Sequence, residues 1–144
     1  MATLLDYRAS EPSNVQGKGV LPGGVNLPAP VSTANTGTEL ADLGIYLSQG
    51  APNRVELTAT IGFKATAGVS KIALIVLRDN YQIFASEQGA ESGFEQFYTA
   101  TLEAVDFDVP MGFHVYKVVA VNLATGTDVL VAGPVVFSGT AYAL

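Results

Sequence analysis

The chain has 144 residues, of which 49% are hydrophobic and only 14% are charged, and its formal net charge is -6. This length suits one domain with a single core. The basic residues are scattered singly, so we expect no nucleic-acid partner and no anionic membrane partner. The absence of cysteine excludes disulfides, thiolate metal sites and thiol nucleophiles.

The first quarter of the chain is uncharged over long stretches and rich in Gly and Pro. Between Arg8 and Glu39 the only charged residues are Glu11 and Lys18. Several prolines oppose a helix there, although "TLLDYR" could form a small strand. We therefore predict an extended N-terminal arm over residues 1–36 and a single domain over residues 37–144. The side chains predicted to anchor the arm are Val20, Leu21, Val25 and Leu27.

An apolar, uncharged arm is suited to lie along the sheet edge of a neighbouring copy. We interpret it as an assembly arm for that reason. The alternative is that the arm lies along its own domain as an intramolecular edge strand.

The middle of the chain has the periodicity of β-strands. "TELADLGIYLS" (38–48) is the first of these segments. "RVELTATIGFK" (54–64) alternates apolar and polar residues, which predicts a strand with one solvated face. "KIALIVLR" (71–78) is a continuous apolar run between Lys71 and Arg78, which predicts a strand covered on both faces. "YQIFAS" follows the turn-forming pair Asp79-Asn80, so we expect a tight hairpin.

The last third continues the strand pattern. "FEQFYTATLEAVDFDV" (94–109) is rich in β-formers, with a helix as the alternative. "FHVYKVVAVNL" (113–123) alternates, and we expect two final strands in "VLVAG" (129–133) and "PVVFSGTAYAL" (134–144). Eight or nine strands with short turns predict an all-β fold, an antiparallel β-sandwich of the jelly-roll type. An immunoglobulin-type sandwich is the alternative.

No constellation of catalytic residues is found in the sequence. His114 is the single histidine and lies in the middle of a predicted strand, so we interpret it as structural. A nucleophile elbow, a P-loop and an H-E-x-x-H motif are all absent. We therefore predict no catalytic residues, no enzyme activity and no cofactor.

Two groups of residues could still bind a ligand. Asp106 and Asp108 alternate along one strand and are the candidates for a calcium site, although a solvated acidic surface is the favoured interpretation. An aromatic cluster could form a ligand platform, although core packing is favoured for it. Its members are Phe94, Phe97, Tyr98, Phe107, Phe113 and Tyr116.

Four segments carry a resemblance to a known family. They are "NRVELTATIGF" (53–63), "VLRDNYQIF" (76–84), "ESGFEQFYTATLEAVDFDVPMGFHVY" (91–116) and "VVAVNLATGTDVLVAGPVVFSGTA" (118–141), with "LLDYRASEP" matching more loosely. These segments resemble exosporium protein C and related small spore-surface proteins of Bacillus-type bacteria. The resemblance implies a structural protein of the spore surface and transfers no catalytic residue.

The favoured function is therefore a self-assembling structural protein of the exosporium or a spore appendage. Its partners would be copies of itself, in a fibre or a trimer, and other spore-surface proteins. A product deposited on a spore needs no signal peptide, and none is apparent in "MATLLDYRAS". The alternative function is a ligand-binding or calcium-binding β-sandwich module displayed on the same surface.

Overall fold

A computed structural model describes residues 2–21, 25–93 and 95–144, with only the backbone described at Val25. These residues form eight long strands and three strands of two residues each. In chain order they are β1 (Thr3–Ser13), β2 (Val20–Leu21), β3 (Val25–Asn26), β4 (Ala29–Pro30), β5 (Thr38–Leu47), β6 (Asn53–Ala67), β7 (Val69–Arg78), β8 (Tyr81–Glu91), β9 (Phe97–Phe107), β10 (Gly112–Asn122) and β11 (Asp128–Ala143). The described residues contain no helix of the length and hydropathy needed to cross a bilayer.

The long strands form two antiparallel sheets. Sheet I has the order β1-β11-β6-β9, with β4 beside β11, and sheet II has the order β5-β10-β7-β8. Counting only the long strands, these orders are 1-8-3-6 and 2-7-4-5. This is the double Greek key of a jelly roll, so the predicted fold is confirmed over its immunoglobulin-type alternative. The helical alternative for residues 94–109 is wrong, because β9 occupies most of that segment.

Alternation along the strands places the core between the two sheets. On β6, Val55, Leu57 and Ile61 are almost fully buried, whereas Thr58 between them is exposed. On β7, both faces are largely covered, as its continuous apolar sequence predicts. The turn at Gly37 packs against the outer face of sheet II. It lies so close that a Cβ added to Gly37 would be 2.7 Å from the side chains of Val119 and Val121.

The two final strands predicted from the sequence are one strand in the structure. β11 runs without a break through Gly133 and Pro134, and its pairing with β6 shifts register there, between Val131 and Val135. Gly133 has a φ of 81°, which favours glycine. Gly62 on the neighbouring strand has no room for a side chain, since a Cβ there would lie 2.0 Å from the carbonyl oxygen of Gly133.

The N-terminal segment belongs to the sandwich, which corrects the predicted boundary at residue 36. Strand β1 pairs along β11 as the edge strand of sheet I. Ala29 in β4 pairs with Val131, further along the same strand. The intramolecular alternative is therefore the arrangement found, because an uncharged apolar segment buries its side chains most readily on the nearest unpaired edge.

The four predicted anchors lie in different environments. Leu21 and Leu27 are buried in the core of their own chain, with 1% and 8% of their surface exposed. Val20 is 52% exposed. The backbone of Val25 pairs with Leu21, whereas its side chain lies outside the described residues. Two of the anchors are thus unavailable to a neighbouring copy.

We predict that Leu21→Ala lowers the free energy of unfolding by about 2–4 kcal/mol, because it removes a buried side chain and leaves a cavity. The matched variant Val20→Ala, next to it on the exposed side, should change the stability by less than about 0.5 kcal/mol. Urea unfolding of both variants measures this difference. Equal and small effects would mean that residues 1–36 do not pack against their own sandwich.

Candidate functional site

One end of sheet I has a row of large side chains on its outer face, three apolar or aromatic and one an arginine. Leu4 lies opposite Tyr142, Tyr142 opposite Arg54, and Arg54 opposite Phe107, so the row crosses all four long strands. Directly opposite residues of antiparallel strands point to the same face. Leu4 is 59% exposed and Phe107 is 62% exposed.

The next row widens this surface. Tyr7 lies opposite Thr140, Thr140 opposite Glu56, and Glu56 opposite Val105. Tyr7 and Val105 are 57% and 49% exposed. We call the six residues Leu4, Tyr7, Arg54, Val105, Phe107 and Tyr142 the apolar band.

The charge of Arg54 is balanced within the surface. Its guanidinium lies 5.1 Å from the centre of the Tyr142 ring, which is a cation–π contact. Its Nε donates a hydrogen bond to the Glu56 carboxylate at 2.9 Å. The band therefore presents aromatic surface with no local excess of charge.

Hydroxyl groups dominate the middle of the same outer face. A shallow groove between β6 and β9 is lined by Thr58, Thr60, Thr101 and Glu103. Thr58 shares a hydrogen bond of 2.8 Å with Ser138 on β11. This groove can accept and donate hydrogen bonds to a polar ligand, and it also provides a polar rim beside the apolar band.

Strand β9 forms a long edge of sheet I. Among the residues that the structure describes, β6 is its only hydrogen-bonded neighbour. Its eleven residues pair with β6 without a register shift, and they include neither Pro nor Lys. Proline, lysine and bulges are the usual protections of sheet edges, so β9 is an open template for another strand.

A polar cluster inside the sandwich holds the end of β9 in place. The carboxylate oxygen Oδ2 of Asp106 accepts a hydrogen bond from Arg78 Nη1 at 2.7 Å and another from the Tyr116 hydroxyl at 2.9 Å. Burial, followed by the charge of Asp106, raises the pKa of Tyr116 far above its usual range, so the phenol remains a donor. Because Asp106 points inward, Val105 and Phe107 on either side of it point outward.

Asn53 makes a second buried contact at this end. Its Nδ2 donates to the carbonyl oxygen of Val109 at 2.8 Å, and its Oδ1 accepts from the backbone N–H of the same residue at 2.7 Å. Asn53 is fully buried. The start of β6 and the end of β9 are thereby fixed to each other beneath the apolar band.

The two candidate metal ligands are not brought together. Asp106 is buried and already holds Arg78 and Tyr116, whereas Asp108 is exposed at the strand end with a φ of 52°. The alternation that suggested a shared face ends there, because the chain turns out of the sheet. Within the described part of the chain, no group of three or more Asp, Glu, His or Cys side chains is placed to hold a metal ion.

His114 is a buried structural residue, as the sequence suggested. Its Nδ1 lies 2.6 Å from Asp79 Oδ2, and its Nε2 lies 2.7 Å from the carbonyl oxygen of Pro110. Burial raises the pKa of Asp79, but hydrogen bonds from His114 and from the Val115 N–H outweigh it and lower that pKa overall. With both ring nitrogens occupied, His114 has no free nitrogen to offer a substrate.

The aromatic cluster is only partly core, which corrects the favoured interpretation. Tyr116 is fully buried and Tyr98 is partly buried against the core. Phe97, Phe107 and Phe113 are each more than half exposed. Phe94 lies outside the described residues. Sequence reasoning missed the band because it assigned these aromatic residues to the core by type, and alternation shows only that Phe107 and Asp106 lie on opposite faces, without showing which of them faces the core.

No protein-family model and no curated protein matches this chain. Solved structures similar to it include a carbohydrate-binding module CBM36 in complex with calcium and xylotriose (13% identity, 92% of this chain and 98% of that chain covered, TM-score 0.44). Another is the CBM36-1 domain of a multidomain xylanase from the hindgut metagenome of Trinervitermes trinervoides (8% identity, 94% and 96% covered, TM-score 0.47). A third is a family 35 carbohydrate binding module from an environmental isolate (16% identity, 88% and 82% covered, TM-score 0.41). Likenesses at this level assign neither a ligand nor an activity to this chain.

We predict that Asp106→Asn lowers the free energy of unfolding by about 2–4 kcal/mol, because it leaves the mostly buried Arg78 without a counter-charge. Asp108→Asn is the matched control and should stay within about 0.5 kcal/mol of the parent chain. Denaturant unfolding at neutral pH compares the two. A similar loss for both variants would show that the cluster around Asp106 does not stabilise this end of the sandwich.

Proposed function

We propose that this chain is a non-catalytic structural protein that associates with copies of itself through sheet I. The observation that carries the proposal is the apolar band, a group of exposed aromatic and aliphatic side chains at one end of the outer face of sheet I. The resemblance to exosporium protein C supports placing this assembly on a spore surface.

The size of the band fits a contact surface. Its four most exposed members, Leu4, Tyr7, Val105 and Phe107, are between 49% and 62% exposed. At ~200 Å² for each large side chain, they expose on the order of 400 Å² of surface. Patches of about 300–600 Å² on monomers are often functional.

The whole outer face of sheet I is large enough for a second copy. Four strands spaced about 4.8 Å apart and roughly ten residues long cover on the order of 600 Å², and partners in stable interfaces bury about 600–1,000 Å² each. Tyrosine, phenylalanine and arginine are enriched in such interfaces. Since Glu56 balances Arg54 within the surface, two copies of the band can meet without repulsion between like charges.

We predict that the purified chain associates as its concentration rises and that Tyr7→Ser weakens this association at least about fivefold, because it removes an exposed aromatic anchor. Light scattering across a concentration series measures the mass. Val69→Ser is the matched control, since Val69 is even more exposed, at 71%, but lies at the start of β7, outside the band.

A chain that stays monomeric at all concentrations would overturn the proposed function. Equal weakening by both variants would show that association depends on general hydrophobicity rather than on the band.

The hydroxyl-lined groove favours a second candidate function, binding of a polar ligand such as a glycan. Thr58, Thr60 and Thr101 place three hydroxyl groups along it, with the carboxylate of Glu103 at its rim. The groove is shallow, so this function would use an extended chain lying along the sheet.

If the groove binds a glycan, calorimetric titration with xylotriose, the sugar named for one similar structure, should give a measurable heat of binding. Thr60→Val should reduce the affinity at least about threefold by removing one hydroxyl. Calcium added in a parallel titration tests whether the ion takes part. No heat with or without calcium would remove this candidate for xylan-type sugars.

A further inference from the structure

The directions of the backbone groups of β9 can be assigned from hydrogen bonds at its two ends. Just before the strand, the carbonyl oxygen of Gln96 accepts from Ala65 on β6, and just after it the N–H of Asp108 donates to Asn53 on β6. Between them the register has no shift. Since backbone groups of successive strand residues alternate between the two edges, even-numbered residues bond to β6 and odd-numbered residues point to the open edge.

The open edge therefore offers a regular series of donors and acceptors. It consists of the N–H and C=O groups of Phe97, Thr99, Thr101, Glu103, Val105 and Phe107. The side chains of these same residues lie on the exposed outer face, since their burial pattern alternates with that of the buried even-numbered residues.

The other three edges are protected by comparison. The N–H of Tyr46 on β5 donates a hydrogen bond to the Asp6 carboxylate of β1 at 2.9 Å. The edge strands β1 and β5 therefore contact each other, and this N–H is not available to another chain. Strand β1 has two register shifts and contains Pro12. Strand β8 has a register shift in its pairing with β7. By these criteria β9 is the edge most open to pairing.

On this basis we propose that β9 pairs antiparallel with β9 of a second copy, with Thr101 opposite Glu103 of that copy and the two-fold axis at Leu102. This inference rests on the proposed self-association and specifies one of its contacts. In this register Phe97 lies opposite Phe107 of the second copy, and Thr99 lies opposite its Val105.

The neighbouring registers are less favourable. Moving the register by two residues in one direction places Glu103 opposite Glu103 of the second copy, where two like charges face each other. Moving it by two in the other direction leaves Phe107 with no opposite strand residue, because its position lies beyond Phe97, the first residue of β9 in the second copy. Only the proposed register both pairs the aromatic side chains and keeps the glutamates apart.

Charge substitutions at Thr101 test the register. Thr101→Lys would face Glu103 of the second copy and should strengthen association, whereas Thr101→Glu would face a like charge and should weaken it. Because each such pair occurs twice in a two-fold dimer, we expect dissociation constants that differ by about tenfold or more between the variants. Thermal unfolding of both variants at low concentration controls for changes in the fold.

Cross-linking provides a second and independent readout. The parent chain has no cysteine, so introduced thiols are the only ones present. A mixture of Thr101→Cys and Glu103→Cys chains should form a disulfide dimer under mild oxidation, because directly opposite residues lie about 5.5 Å apart. Thr101→Cys alone should cross-link much less, since its two copies would be diagonal neighbours about 7–8 Å apart.

The outcomes separate this inference from the proposed function. Association that responds to neither charge at Thr101, or a mixture that gives no more cross-linked dimer than Thr101→Cys alone, would overturn the β9 register and leave self-association standing. A parent chain that remains monomeric at every concentration would overturn both.

Discussion

The contact between Arg78, Asp106 and Tyr116 joins the two sheets beneath the apolar band. Arg78 and Tyr116 belong to sheet II and Asp106 to sheet I, so one carboxylate connects three strands across the core. A charged group is costly to bury unless it is paired and hydrogen-bonded, and here both conditions are met. This pairing is what allows an acidic residue to occupy the inner face of β9.

The orientation of the neighbouring side chains follows from that pairing. In a strand, successive side chains point to opposite faces. With Asp106 inside, Val105 and Phe107 have to lie outside, beside Arg54 and Tyr142. The part of the apolar band that lies on β9 is therefore a consequence of the buried polar cluster beneath it, and the hydrogen bonds of Asn53 with Val109 hold the segment just after the strand against β6.

Much of the fold could be predicted because it depends on local alternation. The pattern of "RVELTATIGFK" and the continuous apolar run of "KIALIVLR" were sufficient to identify β6 and β7. The predicted N-terminal boundary was wrong because low charge and high proline content indicate an extended segment without showing whether it lies on its own sandwich or on that of a neighbouring copy. The burial of Leu21 and Leu27 shows that the N-terminal segment packs against the sandwich of its own chain. The candidate site was harder to predict, since whether Phe107 or Asp106 faces the core depends on Arg78, which is distant in the sequence.

The two proposed contacts have different consequences for the assembly when they are combined. A two-fold contact closes on itself, so the edge of β9 alone or the apolar band alone would give a dimer and nothing larger. The edge contact extends sheet I sideways, whereas the band stacks one sheet on another, so the two contacts have different axes. A chain that uses both would bind one copy at its edge and another at its face, and copies would then alternate between the two contacts. Such an arrangement continues without a fixed limit unless the axes intersect, so a jelly roll whose described N-terminal strands pair with its own sheet can still build a fibre.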